Sequence, residues 1–248
     1  RTFAVYAKLP VFDPVSPEEA FEMIQDAFEL SERLGTPVLF RPTTRVCHGY
    51  APIEVGARSR EPGAGAFEKD ARWVIFPRLS YANHKAIEGR LPVLAGELSS
   101  YRFTVVEEVR GGALEHDPAR AVTRGIATGG VTYAYARESL SVLGADCRVL
   151  KVGTPHPFPG DLAARFLDGL DEVLVVEELD PVIERELLML AAERRVPVTI
   201  LGKRSGHVER AGENTVESVT AAIAQLLGID VPVVPVCSGA PQPPARPP

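Results

Sequence analysis

Thr43, Thr44, Arg45, Cys47 and His48 crowd together directly after the apolar run Val38-Leu39-Phe40. Two hydroxyls, a guanidinium, a thiol and an imidazole at that spacing can hold an anionic group of a substrate or cofactor. Arg presents forked N–H donors to carboxylate or phosphate oxygens, and ligands of open parallel sheets bind beyond the carboxyl ends of strands. On that chemistry Thr43, Thr44, Arg45 and His48 are the candidate residues nearest a substrate or cofactor. The same residue types also make a polar connection whose Thr and Arg satisfy backbone groups and neighbouring carboxylates, and residue type alone leans slightly to that plainer account. Cys47-His48 is a poor metal pair, because no second Cys or His lies at ligand spacing.

Other stretches carry chemistry-bearing residues at element ends. Thr128-Gly129-Gly130-Val131 stands between an apolar run and a helical pattern, where glycines can cradle a phosphate. It forms neither a Gly-x-Gly-x-x-Gly pattern nor a Walker loop, so tight turning and close packing explain it better. His156, between Pro155 and Pro157, is stiffly held and fits either an acid–base role or packing. Glu177, Glu178 and Asp180 offer three carboxylates for Mg2+ or proton transfer. Asp180-Pro181 is better read as a helix start, with Asp180 as N-cap and Pro181 at the first helical position. Gly202-Lys203-Arg204-Ser205-Gly206-His207 is a further polar loop, and Asn214-Thr215 caps the last helix.

These groups need a scaffold, and the scaffold is visible between residues 121 and 203. Apolar runs at 125–127, 147–152, 172–176 and 196–201 alternate with helical periodicity. Runs without polar alternation indicate strands buried on both faces of a mostly parallel sheet, so the fold class is α/β. Residues 102–107 add an edge strand that can run antiparallel to it. Upstream, Ser16-Pro17-Glu18-Glu19 is a helix start with capping-box spacing. Its apolar face (Ala20, Met23, Ile24, Ala27, Phe28, Leu30) ends at Gly35, and 36–41 reads as a strand. One helix and one strand cannot cover each other on both faces, so this unit is either the tail of a truncated domain or docks on another one. Residues 51–68 form a surface connection, and 72–77 is a short apolar run ended by a proline. Residues 83–98 read as a helix disturbed near Pro92.

The bulk numbers narrow the class. At 248 residues the chain is long enough for a substantial core, in one or two domains. A net charge of −6 and no basic stripe argue against a nucleic-acid partner. No apolar run nears the roughly 20 residues that span a bilayer. Three scattered cysteines argue against a disulfide scaffold and for a reducing, cytoplasmic setting. The chain opens on Arg1 without an initiator Met, and 230–248 is a Pro-rich linker or tail. Both features suggest a piece of something longer.

Four stretches, in order, resemble one family: Ser16-Pro17-Glu18-Glu19-Ala20; residues 37–48; Gly125-Ile126-Ala127-Thr128-Gly129-Gly130-Val131; and Val175-Val176-Glu177-Glu178-Leu179-Asp180-Pro181. Over residues 14–229 the chain is similar to alpha subunits of indolepyruvate ferredoxin oxidoreductases, in the thiamine-dependent 2-oxoacid:ferredoxin oxidoreductase family. The resemblance implies four regions: 1–50, the C-terminal part of a thiamine pyrimidine-binding domain; 51–112, a connection; 113–229, a three-layer α/β/α sandwich like the transketolase C-terminal domain; and 230–248, a linker. It further implies an enzyme that oxidatively decarboxylates an aryl 2-oxoacid to an acyl-CoA, with a second subunit and ferredoxin as partners, in a homo- or hetero-oligomer such as a dimer. Thiamine diphosphate, Mg2+ and [4Fe-4S] clusters are implied for the complete enzyme. None is expected to be bound by these residues alone, because the activating glutamate lies upstream in the family, and the pyrophosphate motif and cluster cysteines lie downstream. Catalytic residues are therefore expected outside the segment, which would supply domain and subunit contacts and an active-site rim. Two other readings use the same residues: a free-standing dimerisation or interaction module without catalysis, and a nucleotide-binding regulatory domain using Thr128-Gly129-Gly130.

Overall fold

The computed structural model describes residues 1–56, 69–71, 74, 76–110 and 122–231. The expected connection at 57–68, half of the apolar run at 72–77, the start of the expected third region and the tail from 232 lie outside the described residues.

A five-stranded sheet in the order β3-β5-β4-β6-β7 forms the centre. Its strands are β3 (Val105–Val109), β4 (Arg124–Thr128), β5 (Cys147–Lys151), β6 (Glu172–Val176) and β7 (Thr199–Leu201). β4, β5, β6 and β7 are parallel, whereas the edge strand β3 runs antiparallel to β5. The apolar runs of β4, β5 and β6 have the burial they imply, with Val173, Leu174, Val175 and Val176 all buried and pointing alternately to the two faces. The run ending in β7 does not: as an edge strand it is only partly buried. One face packs on α6 (Gly160–Leu167) and α7 (Val182–Arg194) through Phe166, Leu167, Ile183 and Leu187. The other packs on α5 (Thr132–Leu143) and α8 (Val216–Leu227) through Leu140, Val219 and Ile223. The result is the expected three-layer α/β/α arrangement. Each of these large apolar side chains contributes about 1.5–3 kcal/mol on burial, which makes the two helix layers the main source of cohesion.

The smaller unit precedes this sheet. It comprises α1 (Thr2–Ala7), β1 (Val11–Phe12), α2 (Pro17–Leu34) and β2 (Leu39–Phe40), with β1 and β2 parallel. Ser16 caps α2 by accepting the Glu19 N–H, and Gly35 ends it in the left-handed conformation. The capping-box expectation is half corrected, because the Glu19 carboxylate reaches across to Lys151 of β5, with both groups buried. The strand expected over 36–41 shrinks to two residues, and its partner β1 carried no readable pattern. Phe12, Met23, Ala27, Leu30 and Leu94 form the unit's core, and Tyr101 meets Phe12 edge-on at 5.4 Å. Val11 N–H donates to His156 O and Asp13 N–H to Gly153 O, so β1 is hydrogen-bonded to the loop after β5. This is how the small unit docks.

α3 (Thr44–Cys47) follows β2, and α4 (Pro77–Leu98) crosses back towards β3. α4 begins earlier than expected and continues through Pro92. Its burial is confined to Leu94 and Leu98, where the helix meets the small core.

Candidate functional site

β4 lies between β5 and β6 while preceding both in sequence, so successive connections leave in opposite directions at the carboxyl ends of β4 and β6. Such a switch point opens a crevice in which α/β proteins bind ligands. Here Thr128-Gly129-Gly130 leaves β4, Glu177-Glu178 leaves β6, and the ends of β1 and β2 lie alongside.

The floor of this region is a buried ionic network. Asp13, fully buried, accepts from Arg1 Nε at 2.8 Å and from Arg41 Nη1 at 3.1 Å. Arg1 Nη1 donates to Glu177 Oε2 at 3.0 Å, and Nη2 donates to Gly129 O at 3.3 Å. Glu177 Oε2 also accepts the N–H groups of Val182 and Ile183, and Oε1 accepts that of Glu184. This corrects the helix-start expectation: Glu177 caps α7, Pro181 occupies the N-cap position, and Asp180 accepts from Thr2 Oγ1 at 2.9 Å. Leu179, at φ +57°, turns the chain so that Glu177 faces back under the helix. Burial pushes the Glu177 carboxyl up from its ordinary range, while Arg1 and the three amides pull the other way.

The glycines of the β4 turn make room for these contacts. A Cβ on Gly129 would lie 2.7 Å from Val152 O, and one on Gly130 would lie 2.9 Å from Asp13 Oδ1, at φ +63°. Thr132 Oγ1 donates to Gly129 O and lies within reach of Val176 O, tying the turn to β6. Close backbone approach therefore explains the two glycines.

A second polar group sits at the rim. Thr43 caps α3, its hydroxyl accepting from Val46 N–H at 3.4 Å. Thr44 begins that helix, and His48 ends it, exposed. Arg45 Nη2 donates to Glu213 Oε2 at 2.9 Å, and its guanidinium carbon lies 6.0 Å from the Tyr135 ring centre. Glu213 and the buried Asn214 border a cavity of about 330 Å³ between the 206–214 loop and α8. Asn214 Nδ2 donates to Glu177 O, and its backbone N–H donates to Glu178 Oε1. Thr215, as expected, caps α8 in a capping box with Ser218. The rim thus unites Arg45 with Tyr135, Glu178 and Glu213, of which Tyr135 and Glu213 carried no signal in the sequence. Asp13 and Arg41 were likewise unmarked, because their partner Arg1 joins them only through the fold.

His156 lies apart from this rim, on the β1 seam. Its Nε2 is buried without a partner among the described residues, and burial, helped by the Lys8 charge, lowers its pKa to about 4. Lys203 and Glu184 also have structural partners, since Glu184 accepts the N–H groups of Lys203 and Arg204. Among the described residues no group of three His, Cys, Asp or Glu side chains is placed to hold a metal ion. Cys47 is exposed and Cys147 is buried, with its thiol donating to Arg124 O and burial pushing its pKa to about 12. This donor set does not fit an iron–sulfur cluster, which needs several converging thiolates. No helix among the described residues is long and apolar enough to cross a membrane.

No protein-family model matches the chain. It is 36% identical over 254 residues to the indolepyruvate oxidoreductase subunit IorA of Methanothermobacter thermautotrophicus, an alignment covering 97% of this chain and 40% of that subunit. To the IorA subunit of Thermococcus kodakarensis it is 35% identical, covering 94% and 35%. A 2-oxoglutarate:ferredoxin oxidoreductase from Magnetococcus marinus shares the fold, with a TM-score of 0.53 and 15% identity over 88% of this chain and 42% of that one. The chain is therefore a homologue of a segment of the indolepyruvate oxidoreductase IorA subunit, as its motifs indicate, and spans about 40% of the length of the first of these relatives.

Proposed function

We propose that these residues are the middle of an aryl-2-oxoacid:ferredoxin oxidoreductase, where they supply domain and subunit contacts and one rim of the active site. The complete enzyme would oxidatively decarboxylate indolepyruvate or a related aryl 2-oxoacid to an acyl-CoA and pass electrons to ferredoxin. Thiamine diphosphate, Mg2+ and [4Fe-4S] clusters would then be held by other parts of the enzyme. In this reading residues 1–50 are the end of a pyrimidine-binding domain, 113–229 the transketolase C-terminal-like domain, and the working enzyme is a cytoplasmic oligomer with a second subunit.

One observation carries the proposal: nearly all of this chain aligns with a stretch of the IorA subunits of two organisms, 40% and 35% of their lengths. Thr43, Thr44, Arg45 and His48 are proposed to lie nearest the substrate or cofactor. Thr43 caps the four-residue helix that carries Arg45, and the half-exposed Arg45 side chain can exchange Glu213 for an anionic reactant. The test is Arg45→Ala in the natural gene product assembled with its partner subunit. The Michaelis constant for the 2-oxoacid or for CoA should rise, by on the order of tenfold for one lost charged hydrogen bond. Unchanged kinetics would return Arg45 to a structural role.

A further inference from the structure

The Tyr135 hydroxyl is an unusual group for this rim. Its oxygen is sealed from water and has no hydrogen-bond partner among the described residues. An O–H left without an acceptor costs stability, so such a group in a folded protein calls for an explanation. Tyr135 stands at the start of α5, where the chain has just left β4, and the Arg45 guanidinium lies over its ring. Glu178 and Glu213 carboxylates lie close enough to act on it electrostatically. Glu213 hydrogen-bonds Arg45 from the surface, with both side chains about half exposed.

We infer that Tyr135 is a second anion donor beside Arg45, and that the Glu213 carboxylate holds the place on Arg45 that a reactant's anionic group takes. The inference rests on the reading that Arg45 meets substrate or cofactor. Its chemistry is ordinary recognition of an oxyanion by a guanidinium and a hydroxyl. The arriving carboxylate or phosphate displaces Glu213 from Arg45, Arg45 shifts off the Tyr135 ring with it, and the hydroxyl so uncovered donates to one of the reactant's oxygens. Glu213 is suited to give way, because an exposed ion pair is held by little free energy. It is also suited to guard the site, because its charge keeps weakly bound anions away. Two sources share this chemistry: the carboxylate of a 2-oxoacid and the phosphates of CoA.

The experiment uses the natural gene product with its partner subunit, with Michaelis constants measured separately for indolepyruvate and CoA. Tyr135→Phe keeps the ring and should raise one of the two constants by on the order of tenfold, with kcat little changed. Glu213→Gln should move the same constant in the opposite direction, a few-fold downward, and should have no effect once Arg45→Ala is present. A purely structural role for Glu213 does not improve binding when its charge is removed. The reactant whose constant moves identifies carboxylate or phosphate as the ligand group. If Arg45→Ala weakens a reactant while Tyr135→Phe leaves both constants at wild-type values, the inference falls and the Arg45 reading stands. If Arg45→Ala has no effect, or the gene product turns over no aryl 2-oxoacid, both fall.

Discussion

Glu177 at the end of β6 caps the helix that begins five residues later, its Oε1 accepting the Glu184 N–H at 3.0 Å. The same carboxylate holds Arg1, and through it Asp13, so one buried group joins three segments of chain. Glu177→Ala strands three amides in the interior and takes from the buried Arg1 one of the two carboxylates that hold it. Breaking a buried pair in this way costs about 3–5 kcal/mol. Urea unfolding of the Glu177→Ala chain should show a midpoint lowered accordingly, whereas Asp180→Ala, which removes one exposed hydrogen bond, should cost on the order of 1 kcal/mol or less.

Lys151 and Glu19 form a further buried pair across the docking seam, beneath the rings of Tyr133 and Phe103. Lys151→Met leaves the Glu19 carboxylate buried alone and should cost about 3–5 kcal/mol near neutral pH. Replacing both, as Glu19→Leu with Lys151→Met, should recover most of that loss, since the desolvation cost of the pair disappears with it. Burial already raises the Glu19 pKa against the pull of Lys151. Its stability contribution is therefore present at low pH and lost as pH rises through the folded pKa. The single variant should accordingly be least impaired in acid, which melting temperatures across pH 4 to 8 would reveal.

Much of this architecture can be read from residue pattern, and the exceptions have a common cause. Val173 to Val176, the Ser16 cap, Gly35 and the Thr215 cap are local signals: a run too apolar for any surface, or a side chain bonding an amide three residues on. Glu177 misled because Asp180-Pro181 has the local form of a cap, while the operating cap depends on the reversal at Leu179. β1 is two residues long, too short for periodicity to show. At the candidate site, the strand-end position of Arg45 was legible, but its partner Glu213 is 168 residues away. Tyr135 carries no signal in the sequence, because only the fold brings its ring to Arg45.

Gly130 should not tolerate a side chain. At φ +63°, with Asp13 Oδ1 2.9 Å from an added Cβ, Gly130→Ala combines left-handed strain with a clash against a carboxylate fixed by two arginines. A loss on the order of 1–3 kcal/mol is expected from the backbone alone, while Gly144→Ala, with open space around it, should show only the left-handed penalty. Parallel chemical denaturation of the two variants separates these contributions.

His156 gives the seam a pH dependence. Its folded pKa of about 4 lies below the unfolded value near 6.5. Between those values the unfolded chain binds a proton that the folded one refuses. The contribution is thus full above pH 6.5 and is lost as pH falls toward 4. His156→Gln should flatten the melting temperature profile in that window and leave the rest of the curve parallel to wild type; an unchanged slope would place the titration elsewhere.

The most direct test of the account is turnover by the natural gene product, purified with its partner subunit and supplied with thiamine diphosphate, Mg2+, CoA and a ferredoxin. The account predicts indolepyruvate-dependent, CoA-dependent ferredoxin reduction, absent when residues 1–248 are supplied alone. Turnover by residues 1–248 unaided, or none from the assembled gene product with any aryl 2-oxoacid, would contradict it.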